Sequence, residues 1–159
     1  SERFYARQET AVQYAAQRSI FAGNFSVPLS DVSDVFLLDL TLFDGNGDSI
    51  SCNQYLFTRA STLAPALAAP PTTLHIETSR HATRWQLNIN NTGQTAALWV
   101  WLDDERPLTA PGYAHFDDSY FCLLPGGNRS VWVKWDGVPP DNRQINVSAW
   151  NAAPVLIHS

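Results

Sequence analysis

Residues 84–94 read RWQLNINNTGQ, and this stretch decides the fold. Trp85, Leu87 and Ile89 alternate with Arg84, Gln86, Asn88 and Asn90. Successive side chains of a strand point to opposite faces, so a period of two marks a strand with one face in a core and the other toward water. Asn91-Thr92-Gly93-Gln94 then supplies the small and polar residues of a turn.

The same grammar extends in both directions. Leu74 and Ile76 oppose Thr73, His75 and Glu77. Ala96 to Leu102 is predicted to be the next strand, with Leu98, Val100 and Leu102 on one face and Ala97, Trp99 and Trp101 on the other. Both faces are apolar, so both are expected to be covered in part. Pro107, Pro111 and Gly112 interrupt the chain, and a short strand from Ser119 to Leu124 stops at Pro125-Gly126-Gly127. Val131 and Val133 alternate with Trp132 and Lys134, and Ile145, Val147 and Ala149 with Asn146, Ser148 and Trp150. Six or seven short strands in about 85 residues, divided by Gly and Pro turns, predict an all-β, immunoglobulin-like antiparallel sandwich. The Cys-Trp-Cys spacing of antibody domains is missing, because this half holds only Cys122. The core is expected to come from Trp85, Leu87, Ile89, Leu98, Val100, Val131, Val133 and Val147. Each large side chain fully buried contributes roughly 1.5–3 kcal/mol.

Upstream, VFLLDLTLF (Val35 to Phe43) reads as a strand, and residues 49–59 return after Asp44-Gly45-Asn46-Gly47-Asp48. Phe36, Leu38, Leu40 and Leu42 share one face, and Tyr55 and Phe57 share a face of the return strand. The two glycines are expected to supply the positive φ of a tight hairpin. Val27-Pro28-Leu29 reads as extended, with Pro28 at an edge or strand end. Residues 1–21 have no clean period and are expected to be extended or irregular, although Tyr14, Ala15, Ala16 and Arg18 carry the makings of a helix start. Ala60 to Thr73, with Pro65, Pro70 and Pro71, reads as a linker. The chain therefore divides into residues 1–70 and residues 71–159. The first part is expected to be the C-terminal portion of another sandwich domain, incomplete alone because a lone hairpin is marginal in water. The second is a complete sandwich. The chain is thus expected to be a piece of a longer protein.

The balance of 15 acidic against 10 basic residues gives a formal net charge of −5, with no basic stripe. A nucleic-acid partner is not expected, since phosphate contacts need one. No apolar run is long enough to cross a bilayer as a helix, so no membrane partner is expected. Four Asn-x-Ser/Thr triplets, at Asn24, Asn90, Asn128 and Asn146, are candidate N-glycosylation sites and point to a secreted protein. Cys52 and Cys122 either pair or remain buried thiols; the sequence leaves both open.

No catalytic constellation emerges. Asp103, Asp104 and Glu105 form one acidic cluster, Asp117 and Asp118 another. Neighbouring carboxylates on a strand point apart, so neither cluster alone offers the facing pair of a glycosidase, and a pair drawn from both loops stays open. They read as solvated loop acids or turn caps, with a structural cation near His115, Asp117 and Asp118 as the rival reading. His75, His81, His115 and His158 lack zinc-motif spacing. Catalytic, metal-binding and cofactor-binding residues are accordingly expected to be none. Trp99, Trp101, Trp132 and Trp150 fall off the expected core phase. They serve either a dry interface with a neighbouring domain or a platform that stacks on sugar rings.

Three stretches carry a family resemblance: Asn88-Ile89-Asn90-Asn91-Thr92-Gly93, Ala97 to Leu102, and Asp118-Ser119-Tyr120-Phe121-Cys122-Leu123-Leu124-Pro125-Gly126-Gly127. Together they resemble the C-terminal sandwich domain of family 2 glycoside hydrolases, of the β-mannosidase and exo-β-glucosaminidase branch. There the last stretch typically reads Asp-Asn-Tyr-Phe-x-Leu-Leu-Pro-Gly-Glu; here Ser119 stands for the Asn and Gly127 for the Glu. The hairpin, with Asp44 to Gly47 and then Ser51, Asn53 and Tyr55, resembles the last hairpin of the preceding sandwich domain. The resemblance covers about residues 25–150. It implies a retaining exo-glycosidase as parent, with its two catalytic glutamates on a separate (β/α)8 barrel. The glutamates here are Glu2, Glu9, Glu77 and Glu105, none in the family's Asn-Glu context, so no catalytic residue carries over. The resemblance thus implies a non-catalytic C-terminal portion of a secreted β-mannosidase releasing terminal β-D-mannose, whose partner is the remaining domains or chain of that enzyme. An exo-β-D-glucosaminidase parent, a carbohydrate-binding module and an adhesion domain are the rivals.

Overall fold

In the computed structural model, which describes residues 7–13, 19–28, 30 and 32–159, the alternation of residues 84–91 becomes a strand buried on every second residue. The helix hint at residues 14–18 lies outside the described residues. Residues 7–13 and 19–28 carry no regular secondary structure, so Val27 and Pro28 are not part of a strand, and Leu29 is not described. The strands are β1 (Val35–Phe43), β2 (Ser49–Thr58), β3 (Leu74–Arg80), β4 (Arg84–Asn91), β5 (Ala97–Asp104), β6 (Tyr113–Phe116), β7 (Phe121–Leu123), β8 (Asn128–Asp136), β9 (Gln144–Ala149) and β10 (Ala152–His158). One helical turn, α1 (Ala64–Leu67), interrupts the proline-rich stretch. The chain divides into two compact units, with the boundary between Ala66 and Leu67.

In the first unit, among the described residues, β1 and β2 pair only with each other, antiparallel, with Phe36 opposite Phe57 and Leu38 opposite Tyr55. The rings of Phe36 and Phe57 stack at 5.4 Å. Asp44 organises the turn: its Oδ1 accepts the amides of Asn46 (2.8 Å) and Asp48 (2.9 Å). Only Gly47 takes a positive φ, +89°, so the expectation of two left-handed glycines is corrected to one. The Asp44 cap holds the first half of the turn without the other.

Residues 67–159 form the sandwich. One sheet has the order β3-β4-β8-β6 and the other β10-β9-β5-β7, all pairings antiparallel. A single core joins them: Trp85, Leu87, Ile89, Val131, Val133 and Trp135 from the first sheet meet Val100, Leu102, Phe121, Leu123, Ile145 and Val147 from the second. All eight core residues expected from sequence are buried. Trp135 continues the phase of Val131 and Val133, and its indole meets that of Trp85 edge-on at 5.1 Å.

Three details differ from the sequence reading. β6 and β10 are additional strands, both at sheet edges. β10 carries Pro154 where its register with β9 shifts, and an edge tolerates a missing donor. The third difference is the phase of β5. Ala97 lies opposite Leu123 and Val100 opposite Phe121, so β5 holds one extra residue there. Trp99 takes φ +49° within this β-bulge. Ala97 therefore joins Val100 and Leu102 in the core, while Leu98 is buried outside that cluster. A bulge re-aims side chains by breaking strict alternation.

Candidate functional site

The signature stretches converge on Asn91. Its position continues the inward phase of Trp85, Leu87 and Ile89, so its amide is buried, with 1% exposure. A buried polar side chain must find partners within the protein. Its Nδ2 donates to Thr95 O (2.8 Å) and Leu123 O (2.9 Å), and its Oδ1 accepts Thr72 Oγ1 (2.7 Å) and the Gly93 amide (3.1 Å). Its backbone closes the Pro125-Gly126-Gly127 turn: Asn91 N donates to Gly127 O, and Gly126 N donates to Asn91 O. Gly93 is required for contact rather than for flexibility. A Cβ there would lie 2.1 Å from Thr72 Oγ1 and 2.8 Å from Thr73 N.

Asn151 plays the matching part beside β10. Its Nδ2 donates to Pro70 O (2.7 Å) and Ala96 O (2.8 Å), and its Oδ1 accepts the Leu98 amide (3.0 Å). The Thr72 amide donates to its carbonyl oxygen (2.8 Å), beside a parallel bridge between Thr72 and Ala152. The entering segment 70–72 is thereby tied to both β5 and the β9–β10 turn.

The four off-phase tryptophans do not share one surface. Trp99 and Trp150 meet edge to face at 6.2 Å. Trp101 is paired with Ser148 on the outward side of the same sheet, and its Nε1 donates to Asp103 Oδ2 (2.7 Å). Trp132 belongs to the other sheet, where the Arg84 guanidinium lies 4.2 Å from its ring centroid and the His81 ring 5.9 Å away. Trp150 is the most open of the four, 49% exposed. It borders a depression of about 320 Å3 whose other walls include Leu67, Ala69, Pro71, Ala152 and Ala153. Its Nε1 donates to Leu67 O (3.2 Å), which fixes the ring and spends its one donor.

The acidic clusters are engaged in structure. Asp104 forms a two-pronged ion pair with the buried Arg106, Nε to Oδ1 at 2.8 Å and Nη2 to Oδ2 at 2.6 Å. Arg106 also donates to Pro111 O (2.8 Å) and Gly112 O (3.1 Å), binding the loop before β6. Asp118 pairs with Arg129 and caps Ser119 N, and Asp117 Oδ1 accepts the Trp132 amide at 2.8 Å. Glu105 is exposed. His115 packs edge-on against Tyr113. Among the described residues no three His, Cys, Asp or Glu side chains converge as a metal-ligand set. Neither do facing carboxyls suited to glycosidic cleavage accompany the depression at Trp150, whose walls hold no acid.

Cys52 and Cys122 each carry a thiol rather than a disulfide. Cys52 Sγ lies 3.4 Å from Asp39 Oδ1. Cys122 is buried and accepts the Trp99 amide at 3.5 Å; burial pushes its thiol above the ordinary range. Of the sequon asparagines, Asn24 and Asn128 are exposed, while Asn90 and Asn146 are half-buried. Asn90 Nδ2 donates to Asn88 O (3.2 Å), and Asn146 Oδ1 is enclosed without a partner.

Asn91, Arg106 and Asn151 were not singled out by sequence reasoning. Asn91 had a signal: it is a polar residue on the inward phase just before Thr-Gly. Asn151 and Arg106 had none, since their partners are set by loops.

These features define an immunoglobulin-type sandwich domain, and residues 69–152 match the family model Ig_mannosidase, described as an Ig-fold domain. The chain belongs to that family. Among solved structures it is similar to the exo-chitosanase CsxA of Amycolatopsis orientalis in complex with PNP-β-D-glucosamine, with a TM-score of 0.62 at 17% identity. It is also similar to the exo-β-D-glucosaminidase CsxA studied with a glucosamine-configured castanospermine and an amino-australine analogue, with a TM-score of 0.58 at 18% identity. Each match covers 84% of this chain and 19% of that one. The chain thus spans about a fifth of the length of these neighbours, and at this identity the likeness is one of fold. No curated protein matches the chain. The resemblance drawn from the signature stretches is borne out as a β-sandwich region of the type found in family 2 glycoside hydrolases.

Proposed function

We propose that the chain is the non-catalytic C-terminal portion of a secreted family 2 exo-glycoside hydrolase, most closely of the β-mannosidase type, in which it serves packing and stability. The family match of residues 69–152 carries this reading. The uncovered apolar surfaces support an interface role. On one face of the hairpin Leu40, Leu42, Tyr55 and Phe57 are all exposed, in a two-stranded sheet too small to be stable alone. The surroundings of Trp150 favour a dry contact over a sugar platform. A sugar site needs polar groups converging on the ring. Here the wall side chains beside Trp150 are aliphatic except for Asn151, whose amide is already committed within the fold.

In this reading the hydrolytic glutamates belong to another part of the parent protein. Export to the extracellular space fits the four sequons, with Asn24 and Asn128 the most accessible. The experiment is to purify the native protein, measure its intact mass, identify any contiguous or co-purifying polypeptide, and assay nitrophenyl β-D-mannoside against nitrophenyl β-D-glucosaminide. Faster release from the mannoside, by a species several times larger than this chain, is expected. A stable native monomer of 159 residues with neither activity would sink the reading.

A second reading, an exo-β-D-glucosaminidase parent, is favoured by the two solved neighbours. The same assay separates the two.

A further inference from the structure

We propose that the sandwich binds a small tetrahedral oxyanion, of the phosphate or sulfate class, between Arg80 and Arg143. A cavity of about 280 Å3 is lined there by Arg80, His81, Trp85, Pro140, Arg143 and Ser159. No acidic side chain stands among these residues; in the 159-residue chain the terminal carboxylate of Ser159 lies on the same wall, and among the described residues it forms no ion pair with either arginine.

The state of Arg143 carries the inference. It is 7% exposed, its Nε is enclosed without an acceptor, and its Nη2 reaches Val138 O only at 3.5 Å. Among the described residues no carboxylate forms an ion pair with Arg143 or Arg80. A guanidinium does not shed its proton inside a protein, so the buried charge has to be compensated in place. Part of the compensation comes from aromatic faces: Arg143 Cζ lies 5.6 Å from the Trp135 ring and Arg80 Cζ 5.2 Å from the Trp85 ring. Attraction to a ring is smaller than the desolvation penalty of an ion. The contrast within the same domain is instructive, because Arg106, equally buried and also beside Trp135, has Asp104 as its counter-ion. Arg143 has none, and it borders a cavity with a second guanidinium and an imidazole on its wall. Arginine donors in a planar fork suit the oxygens of phosphate or sulfate. Arg80 is already steadied by its Nη2 bond to His158 O (2.6 Å), which lowers the ordering cost of binding.

The test is a titration of the 15N-labelled 159-residue chain with inorganic phosphate, ionic strength being held constant with chloride. The Arg143 Nε–H and Trp85 Nε1–H signals are expected to shift saturably. Arg80→Gln, at the cavity mouth, is expected to weaken half-saturation at least fivefold while leaving the rest of the spectrum folded; Arg143→Lys gives a second variant with the same expectation. Linear drift equal to that caused by chloride would overturn the proposal. So would an Arg80→Gln affinity equal to that of the parent chain, or saturation by acetate but not by phosphate.

Discussion

The side-chain amide of Asn91 donates to the carbonyl oxygen of Leu123 at 2.9 Å, joining residues 32 positions apart inside the sandwich. The same bond unites the Asn-Thr-Gly stretch with the Leu-Leu-Pro-Gly stretch, the two signatures most distinctive in the sequence. They occur together because each satisfies the other's buried polar groups. Asn91 closes the end of β4 and, through its backbone, the turn at Gly126 and Gly127.

Asn91→Ala is therefore expected to cost about 3 kcal/mol, because it takes the side-chain donor from the Leu123 carbonyl and the acceptor from the Gly93 amide, and leaves Thr72 Oγ1 and Thr95 O with only each other. Asn90→Ala, one residue earlier on the outward side, is expected to cost about 0.5 kcal/mol or less. Urea denaturation followed by tryptophan fluorescence distinguishes them; equal midpoints would contradict the role given to Asn91.

Two glycines separate steric contact from backbone conformation. Gly93→Ala places its Cβ on Thr72 and Thr73 and is expected to lose about 2–3 kcal/mol through forced displacement. Gly126→Ala meets nothing within 4 Å but must hold φ +73°, and is expected to lose about 1–2 kcal/mol. Thermal unfolding of the two variants should rank them in that order. In a double variant, Thr72→Ser removes only a methyl and should not relieve Gly93→Ala, whereas Thr72→Gly should relieve part of it.

Arg106 and Asp104 form a largely buried ion pair, so removing one partner is worse than removing both. Arg106→Ala is expected to cost about 3–4 kcal/mol, since it also releases Pro111 O and Gly112 O. The double variant Arg106→Met, Asp104→Leu is expected to recover at least half of that loss. Chemical denaturation of the single and double variants completes the cycle.

Thiol reactivity should differ between the cysteines. Burial holds the Cys122 thiol above its ordinary range, so the reactive thiolate is scarce at neutral pH. A disulfide reagent at pH 7.5 is expected to label Cys52, which is half-buried, well before Cys122. Cys122 should react fully only in denaturant. Because the folded-state value is raised, its contribution to stability is complete below the unfolded-state value and is lost as pH rises through the folded one.

Acid should act on the hairpin turn in the opposite sense. The Asp48 and Asn46 amides hold the Asp44 carboxyl below its ordinary value. A depressed carboxylate contributes stability above its unfolded-state value and loses it as pH falls through the folded one. The amide signals of Asn46 and Asp48 are expected to titrate together, with a midpoint below that of an ordinary aspartate. A midpoint at or above the ordinary value would contradict the cap.

Much of this molecule is legible in local sequence. Trp85, Leu87, Ile89, Val131, Val133 and Val147 announce their strands because a period of two is a property of the extended chain itself, independent of what lies across the sheet. The turn at Asp44–Asp48 is local for a similar reason, since its cap and its one left-handed glycine lie within five residues. The acids at 103–105 and 117–118 are visible as clusters in the sequence, but nothing local shows that Asp104 meets Arg106, that Asp118 meets Arg129, or that Asp117 meets the Trp132 amide.

What only the tertiary structure decided is where alternation fails and which distant groups meet. The bulge at Trp99 reverses the phase of β5 because one extra residue is accommodated against β7, and no window within Ala97 to Leu102 carries that count. Pro154 masked β10, since a proline argues against a strand until the strand is known to be an edge. Asn91, Asn151 and Arg106 acquire their roles from carbonyls brought to them by the fold, and the separation of Trp132 from Trp99 and Trp150 follows from which sheet each strand joined. Periodicity is written residue by residue and can be read that way. Hydrogen-bond partnership and sheet membership are relations between segments, and they exist only once the chain has closed on itself.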